Sequence, residues 1–176
     1  MASTKTIRQR IENILIGDFI PADTRFSISS GRFKLHDKDT GSIEMNYDSV
    51  AERKIQVLCG PIGEIDSVNH MDGFGLYEFD LTVKVSYFLT NSGDDMPEGS
   101  TEIEGTGYIE DINDRANADS LDIKRCVTWY ENYGGLTPDV FSIVDKSFTM
   151  EVVGKKVIAS TVFQVRFQNS LLVSNV

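Results

Sequence analysis

The residue types that could carry chemistry are few in this sequence and far apart. Its two histidines, His36 and His70, each lie in a short polar stretch, and neither has a second histidine four residues away. A zinc-binding helix of the HExxH type needs that spacing, because it places both imidazoles on one side of the helix. We therefore interpret both histidines as exposed side chains in turns. A small hydrolase built on His36, Asp37 and Asp39 is the least supported alternative function.

A calcium-binding loop is the metal site that the segment 37–41 (DKDTG) suggests at first reading. Such a loop requires an oxygen ligand at its fifth position, glycine at its sixth and glutamate at its twelfth. These positions hold Gly41, Ser42 and Asp48, so two requirements fail and the third is met by a shorter carboxylate. A polar hairpin turn accounts for the same residues, and we expect no bound metal.

Cysteine and glycine patterns give no further sign of catalysis. Cys59 and Cys126 form no CxxC pattern, so they indicate neither a zinc site nor a disulfide framework, and they fit a reducing compartment. Both fall on apolar faces of expected elements, where a cysteine is ordinarily a small buried hydrophobe. The sequence contains no phosphate-binding loop, nucleophile elbow or dinucleotide-binding fingerprint. We expect a protein with no cofactor and no enzymatic activity.

Length and composition narrow the class of protein. The chain has 176 residues, of which 40% are hydrophobic and 25% charged, as is typical of a globular protein. It has no apolar run near the roughly 20 residues that span a bilayer, and its first residues lack the hydrophobic core of a signal peptide. We expect one soluble, cytosolic domain over residues 1–176 that binds no membrane.

Acidic residues are concentrated in one part of the chain. The formal net charge is -10, and ten of the 27 acidic residues lie between Asn91 and Asp122, where Arg115 is the one basic residue. A protein this acidic does not bind a phosphate backbone through its overall field. The stretch is either a solvated surface or a surface of one sign that repels nucleic acid or attracts a basic partner. Its first part, called the acidic segment below, contains Asp94, Asp95, Glu98, Glu102 and Glu104.

Apolar spacing predicts two helices. Over residues 5–16, isoleucine and leucine recur at spacings of three and four, which is typical of an amphipathic helix. A second helix is expected over 112–130, with Asp111 or Asn113 as its N-terminal cap. The residues expected to face the core are Ile7, Ile11, Ile14 and Leu15 in the first helix, and Ile112, Ala116, Ile123, Val127 and Tyr130 in the second.

Alternation of apolar and polar residues predicts the strands. Residues 77–89 have an apolar side chain at every odd position, which indicates a long strand with one face on a core. A glycine-containing turn joins 148–153 to 157–167, and we expect these two segments to form an antiparallel hairpin. Weaker alternation predicts a strand over 53–59 and a hairpin over 25–50.

The order of these elements indicates an α+β fold, in which an antiparallel or mixed β-sheet has the N-terminal and central amphipathic helices packed on one face. The sheet ends in the C-terminal β-hairpin, and extended loops are expected near 36–42 and 91–107.

A partly apolar second face of the sheet predicts a contact surface. Opposite the core, the strands carry Phe88, Ile158 and Val162, so another chain or a helix of the same chain should cover them. With Lys155 and Lys156 at the tip of the hairpin, these residues form the interface that the sequence predicts.

Three stretches and the N-terminal helix together resemble a known family. They are the alternating strand 76–85 (LYEFDLTVKV), the acidic helix ending near 133–136 (YGGL), and 154–167 (GKKVIASTVFQVRF). In this order they make residues 77–171 similar to the tail terminator (tail-to-head joining) proteins of long-tailed bacteriophages, and the amphipathic N-terminal helix matches the opening of that family.

The resemblance implies a structural virion protein of the phage tail, made in the host cytoplasm. Its subunits would close into a ring, typically a homohexamer, that caps the tail tube, stops its polymerisation and provides the docking surface for the head. The implied partners are further copies of the chain, the tail tube protein and a head completion or connector protein. DNA would pass the acidic segment in the lumen without sequence-specific binding. A head-tail connector or tail tube subunit is one alternative, and an acidic binding protein that mimics DNA is another.

Overall fold

Ten helices and strands are present in the part of the chain that the structure describes. The computed structural model describes residues 4–19, 26–36, 53–66, 74–89, 106–133 and 140–170. In chain order, the elements are α1 (Thr4–Ile16), β1 (Lys34–Leu35), β2 (Lys54–Cys59), β3 (Gly63–Asp66), β4 (Phe74–Leu89), β5 (Thr106–Gly107), α2 (Ile109–Thr128), α3 (Tyr130–Tyr133), β6 (Val140–Val153) and β7 (Lys156–Ser170).

The strands form one mixed sheet, which confirms the α+β class. Their order across the sheet is β1-β2-β4-β7-β6, and β3 and β5 also pair with β4. β4 and β7 are antiparallel and stay in register from the pair Phe74 and Ser170 to the pair Phe88 and Lys156. The predicted C-terminal hairpin is confirmed as β6 and β7, although β6 begins at Val140, well before the sequence indicated.

The core lies between one face of this sheet and the helices. Alternate residues of β4 and β7 are buried against α1 and α2, as period-two patterning requires when one face is covered. α1 has the predicted bounds to within one residue and ends at Gly17, whose φ of 80° suits glycine. A Cβ at Gly17 would lie 2.6 Å from the Ser30 Cα atom, so the close packing of these two segments also requires glycine there. The buried residues of α1 and of the predicted strands include Ile7, Ile11, Ile14, Leu15, Ile55, Val57, Phe79, Leu81, Val83, Val85, Phe163 and Val165.

Two details predicted for the second helix are wrong. α2 begins at Ile109, so its N-cap is Tyr108, which makes no side-chain cap hydrogen bond, and neither Asp111 nor Asn113 is the cap. Asp111 lies instead in the first turn, where a carboxylate complements the helix dipole. Tyr130 is exposed because the chain leaves helical geometry at Trp129 before α3 begins.

The described part of the segment predicted as a hairpin, residues 26–36, contains one short strand, and the pairing of two arms over 25–50 stays a prediction. The strand there is confined to Lys34–Leu35 and runs parallel to β2. Two of the apolar residues that predicted a strand of this hairpin are packed in the fold. The ring of Phe26 stacks on that of Trp129, with ring centroids 4.0 Å apart, and Ile28 is buried. The expected return arm, the turn at 37–42 and most of the loop at 91–107 lie outside the described residues.

Candidate functional site

His36 is buried, so its interpretation as an exposed turn residue is wrong. It directly follows β1, and its backbone N–H donates to the Ile55 carbonyl at 2.8 Å, which places it beneath α1 with 6% of its surface exposed. The other members of the hypothetical hydrolase site, Asp37 and Asp39, and the second histidine, His70, lie outside the described residues.

A small cleft separates α1 from the β1–β2 side of the sheet. It encloses about 130 Å³ and is polar on one side, where His36 lies near Arg8 and the buried Glu12 of α1. The Arg8 Nε atom is 3.6 Å from the Glu12 Oε1 atom. Over the described ranges, no group of three or more His, Cys, Asp and Glu side chains is arranged to hold a metal ion.

An ionic cluster around Asp119 fixes α2 to the sheet. Asp119 is buried and accepts hydrogen bonds at its Oδ1 atom from Arg32 and at its Oδ2 atom from the Tyr87 hydroxyl, the latter at 2.8 Å. Arg53 approaches the same Oδ2 atom to 3.4 Å, and Arg32 also donates to Asp122 at 2.7 Å. The cluster therefore joins α2, β4, the residue before β2 and the segment before β1.

The electrostatics of this cluster keep the Arg32 guanidinium charged and the Tyr87 hydroxyl protonated. Burial by itself lowers the pKa of Arg32, but hydrogen bonds and attraction from Asp119 and Asp122 outweigh it, so the pKa is raised and the guanidinium stays charged. Burial, and then the Asp119 carboxylate, raise the pKa of the Tyr87 hydroxyl well above its ordinary value. Tyr87 therefore remains the donor to Asp119. Such a cluster has the properties of a structural contact that holds α2 against the sheet.

Sequence reasoning missed this cluster because it counted Asp119 and Asp122 with the acidic surface. One local signal could have found Asp119: it lies seven residues after Ile112 and four before Ile123, which puts it on the buried stripe of α2. Its partners Arg32 and Arg53 are distant in sequence, and no local pattern connects them to it.

The two cysteines behave largely as the sequence suggested. Cys126 is buried, and burial raises the pKa of its thiol to about 11. Cys59 is half-buried against the core, and burial raises the pKa of its thiol as well. Both are free thiols, and both are weakly reactive because the thiolate is the reactive form.

The predicted surface residues have different environments. The acidic segment with Asp94, Asp95, Glu98, Glu102 and Glu104 lies outside the described residues, and its place in a lumen stays a prediction. Of the predicted interface, Phe88 and Val162 are half-buried, and Lys155 is exposed. Ile158 is fully buried, and Lys156 is nearly so, with a pKa lowered by burial and by Lys54. The side chains of Ile158 and Lys156 are therefore not open to a partner in the single chain, and the contact role of all five stays a prediction.

The most open part of the sheet is β6, and its outer side, residues 140–153, is called the β6 edge below. Among the described strands, β6 pairs with β7 alone, so its other side has no strand neighbour. Most of its residues are exposed, and they include residues on both faces. The exposed apolar side chains are those of Phe141, Val144, Met150 and Val152.

The exposure of β6 has a structural cause. Its register shifts between Val140 and Ser142 and again between Asp145 and Ser147, and such bulges bend a strand away from regular pairing. Helix α2 reaches β6 through Lys124, which forms an ion pair with Asp145 at 2.9 Å. Further along β6, Met150 and Val152 are exposed, although they lie on the face of the sheet on which their β7 partners are buried.

On the opposite side of the sheet, the described strands again leave an outer side without a strand neighbour, and this side is apolar as well. It is formed by β1, the outer side of β2, and β3, and it is called the β1–β3 edge below. Large apolar residues are at least 40% exposed along it, and they are Leu35, Leu58, Ile62 and Ile65. The outer strands of a sheet are templates for pairing with another chain, and monomeric proteins usually protect them.

Comparison with known proteins identifies no relative from which a function could be inferred, so the function has to be argued from these surfaces. No model of a protein family matches the sequence, and no curated protein matches it significantly. Among the helices of the described ranges, none combines the length and the apolar character needed to cross a bilayer.

Proposed function

We propose that the chain is a structural virion protein of the tail terminator type. In this role, copies of the chain form a ring that caps the tail tube, stops its growth and presents a docking surface to the head. The proposal is supported by the resemblance of residues 77–171 to that family and by an α+β subunit in which, over the described residues, both outer strands of the sheet lack a further strand neighbour.

One observation carries the proposal most directly: most residues of the β6 edge are exposed, on both faces of the strand, and four of them are large apolar side chains. Unpaired backbone N–H and C=O groups and open apolar surface together favour association with another strand. Because the β1–β3 edge also has no further strand neighbour among the described residues, each subunit would have two different surfaces for contact. Contacts between different surfaces generate rings when the rotation closes, and closure leaves no site for further growth.

The proposal has a direct assembly test. Native mass spectrometry of the purified chain should give a discrete species at a multiple of 19.6 kDa. The same preparation, added to growing tail tubes, should bind at tube ends and limit tube length in electron micrographs. A chain that stays at 19.6 kDa at high concentration and leaves tube length unchanged would contradict the proposal.

A head-tail connector or a tail tube subunit is the nearest alternative, because open sheet edges serve those assemblies equally well. The tube experiment separates the three: a tube subunit is incorporated along the tube, a terminator binds its end and stops growth, and a connector binds filled heads in the absence of tubes.

An acidic protein that mimics DNA is the second candidate. It is favoured by the exposed carboxylates Glu110, Asp111 and Asp114 in the first half of α2. A monomer or dimer that binds a DNA-binding protein in competition with duplex DNA would support this candidate instead. Such binding should weaken steeply with added salt, because it depends on attraction between opposite charges.

A further inference from the structure

One row of register partners crosses the five described strands from β1 to β6 and ends in residues of opposite charge. Lys34 pairs with Lys54, Lys54 with Ser86, Ser86 with Ile158, and Ile158 with Glu151. Direct register partners point to the same face of a sheet. Lys34 on the β1–β3 edge and Glu151 on the β6 edge therefore lie on one face, at the two ends of the same row, and both are exposed.

The neighbouring row ends in two apolar residues. It runs from Leu35 through Ile55, Val85 and Ala159 to Met150. Its three inner members are buried in the core, whereas Leu35 is 40% and Met150 37% exposed. The helices thus cover the middle of this row and leave its two ends open.

The strand directions make the two edges compatible. β1 is parallel to β2, and β2 is antiparallel to β4, so β1 runs opposite to β4. β4, β7 and β6 are successively antiparallel, so β6 runs in the direction of β4. If a second copy continues the sheet in the same orientation, its β1 runs antiparallel to the first copy's β6. In an antiparallel ladder, a register that places Glu151 opposite Lys34 also places Met150 opposite Leu35.

We propose that the β6 edge of one copy pairs with β1 of the next copy in this register. The ion pair between Glu151 and Lys34 and the apolar contact between Met150 and Leu35 specify the register, and the edge backbone groups gain hydrogen-bond partners. This inference rests on the proposed ring and names the two surfaces that close it. Because the surfaces differ, the contact propagates from copy to copy, whereas pairing of β6 with itself would end at a dimer.

Disulfide trapping tests the register. Direct cross-strand partners are close enough for two cysteines to be oxidised to a disulfide. The double variant Met150→Cys, Leu35→Cys, made with Cys59→Ser to remove the half-buried native thiol, should give a ladder of covalent multimers on a non-reducing gel. Each single variant should give none. The matched control pairs Leu35→Cys with Val144→Cys, which is exposed on the same strand but far from the proposed register, and it should also give none.

Charge exchange tests the same contact without cysteines. Glu151→Lys and Lys34→Glu should each raise the concentration at which half of the chain is assembled by at least tenfold. The double variant should bring this concentration most of the way back to the wild-type value. Rescue distinguishes a direct pair from two independent surface effects.

The outcomes separate this inference from the proposed function. A wild-type ring whose double cysteine variant gives no ladder overturns the register and leaves the proposed function standing. Covalent dimers from Met150→Cys alone would show that β6 pairs with itself, which also overturns it. A wild-type chain that remains at 19.6 kDa throughout overturns both.

Discussion

The two strands of the C-terminal hairpin, β6 and β7, have nearly the same length and pair along most of it, yet their environments are opposite. β7 lies between β4 and β6, and alternate residues along it are buried. β6 has a strand on one side and is exposed over most of its length. At one register pair the contrast is complete: Val157 is 1% exposed and its partner Val152 is 55% exposed.

This difference shows that pairing in a sheet and burial in a core are separate contributions. Val152 and Val157 are cross-strand partners of the same residue type, so backbone pairing does not distinguish them. The distinction comes from the helices, which cover β7 and the first part of β6 but stop short of Met150 and Val152. β7 therefore contributes to the stability of the fold, and β6 is available for association.

The largest effect on stability is expected at the cluster that holds α2 over the sheet. Asp119→Ala removes the acceptor for the buried Tyr87 hydroxyl and one of the two carboxylates that bind Arg32, which keeps Asp122. Breaking a buried ion pair on one side is strongly destabilising, and we expect a loss of about 3 kcal/mol in the free energy of unfolding. Urea denaturation measures it. Asp114→Ala, which removes an exposed carboxylate of the same helix, is the matched control and should change little.

The valine pair offers the sharpest comparison of the two strands. Val157→Ala removes two buried methyl groups and leaves a cavity, so we expect it to lower the free energy of unfolding by about 2 kcal/mol. Val152→Ala makes the identical change on an exposed side chain, and it should stay within about 0.5 kcal/mol of wild type. Equal losses in urea denaturation would mean that β6 is as well covered as β7, which would contradict the comparison.

A pH dependence should arise at Cys126, which lies on the buried face of α2. Burial raises the pKa of this thiol from 9.0 to about 11 in the folded chain. As the pH rises above 9, the unfolded thiol ionises while the folded one stays protonated, so its contribution is present in full below pH 9 and is lost towards pH 11. Cys126→Ala should therefore lose less stability with pH than wild type over this window. Parallel curves for the two proteins in urea titrations at pH 8 to 11 would be evidence against it.

Sequence periodicity predicted the parts of this fold in which one face is buried and the geometry is regular. Alternation located β4 and β7, and the three- and four-residue spacing located α1, because burial of one face leaves that pattern in any regular element. The first half of β6 was missed because its two bulges break the alternation, so residues on one face are no longer two apart.

The candidate site was less predictable, for two physical reasons. The exposure of a strand depends on what packs over it. The sequence around Met150 and Val152 does not indicate that the helices leave these two residues uncovered. Contacts between distant segments are also invisible to local patterns: Arg32 reaches Asp119 across 87 positions. The predicted interface residue Ile158 shows the converse case: its position opposite the core predicted a cover from another chain or from a helix of the same chain, and it is fully buried within the single chain.

The smallest effect on stability should accompany the largest effect on assembly. Val152→Asp places a charge on the β6 edge, where the side chain is already in water, so the free energy of unfolding should stay within about 0.5 kcal/mol of wild type. In an assembled ring the same carboxylate would be buried in an apolar contact without a partner, and that cost should remove the ring from native mass spectra. Leu121→Asp is the matched control, because Leu121 is 56% exposed on α2 and belongs to neither edge strand, so it should leave the ring intact. If both variants assemble as wild type does, the β6 edge is not a contact between copies of this chain, and a different partner would have to account for its exposed apolar residues.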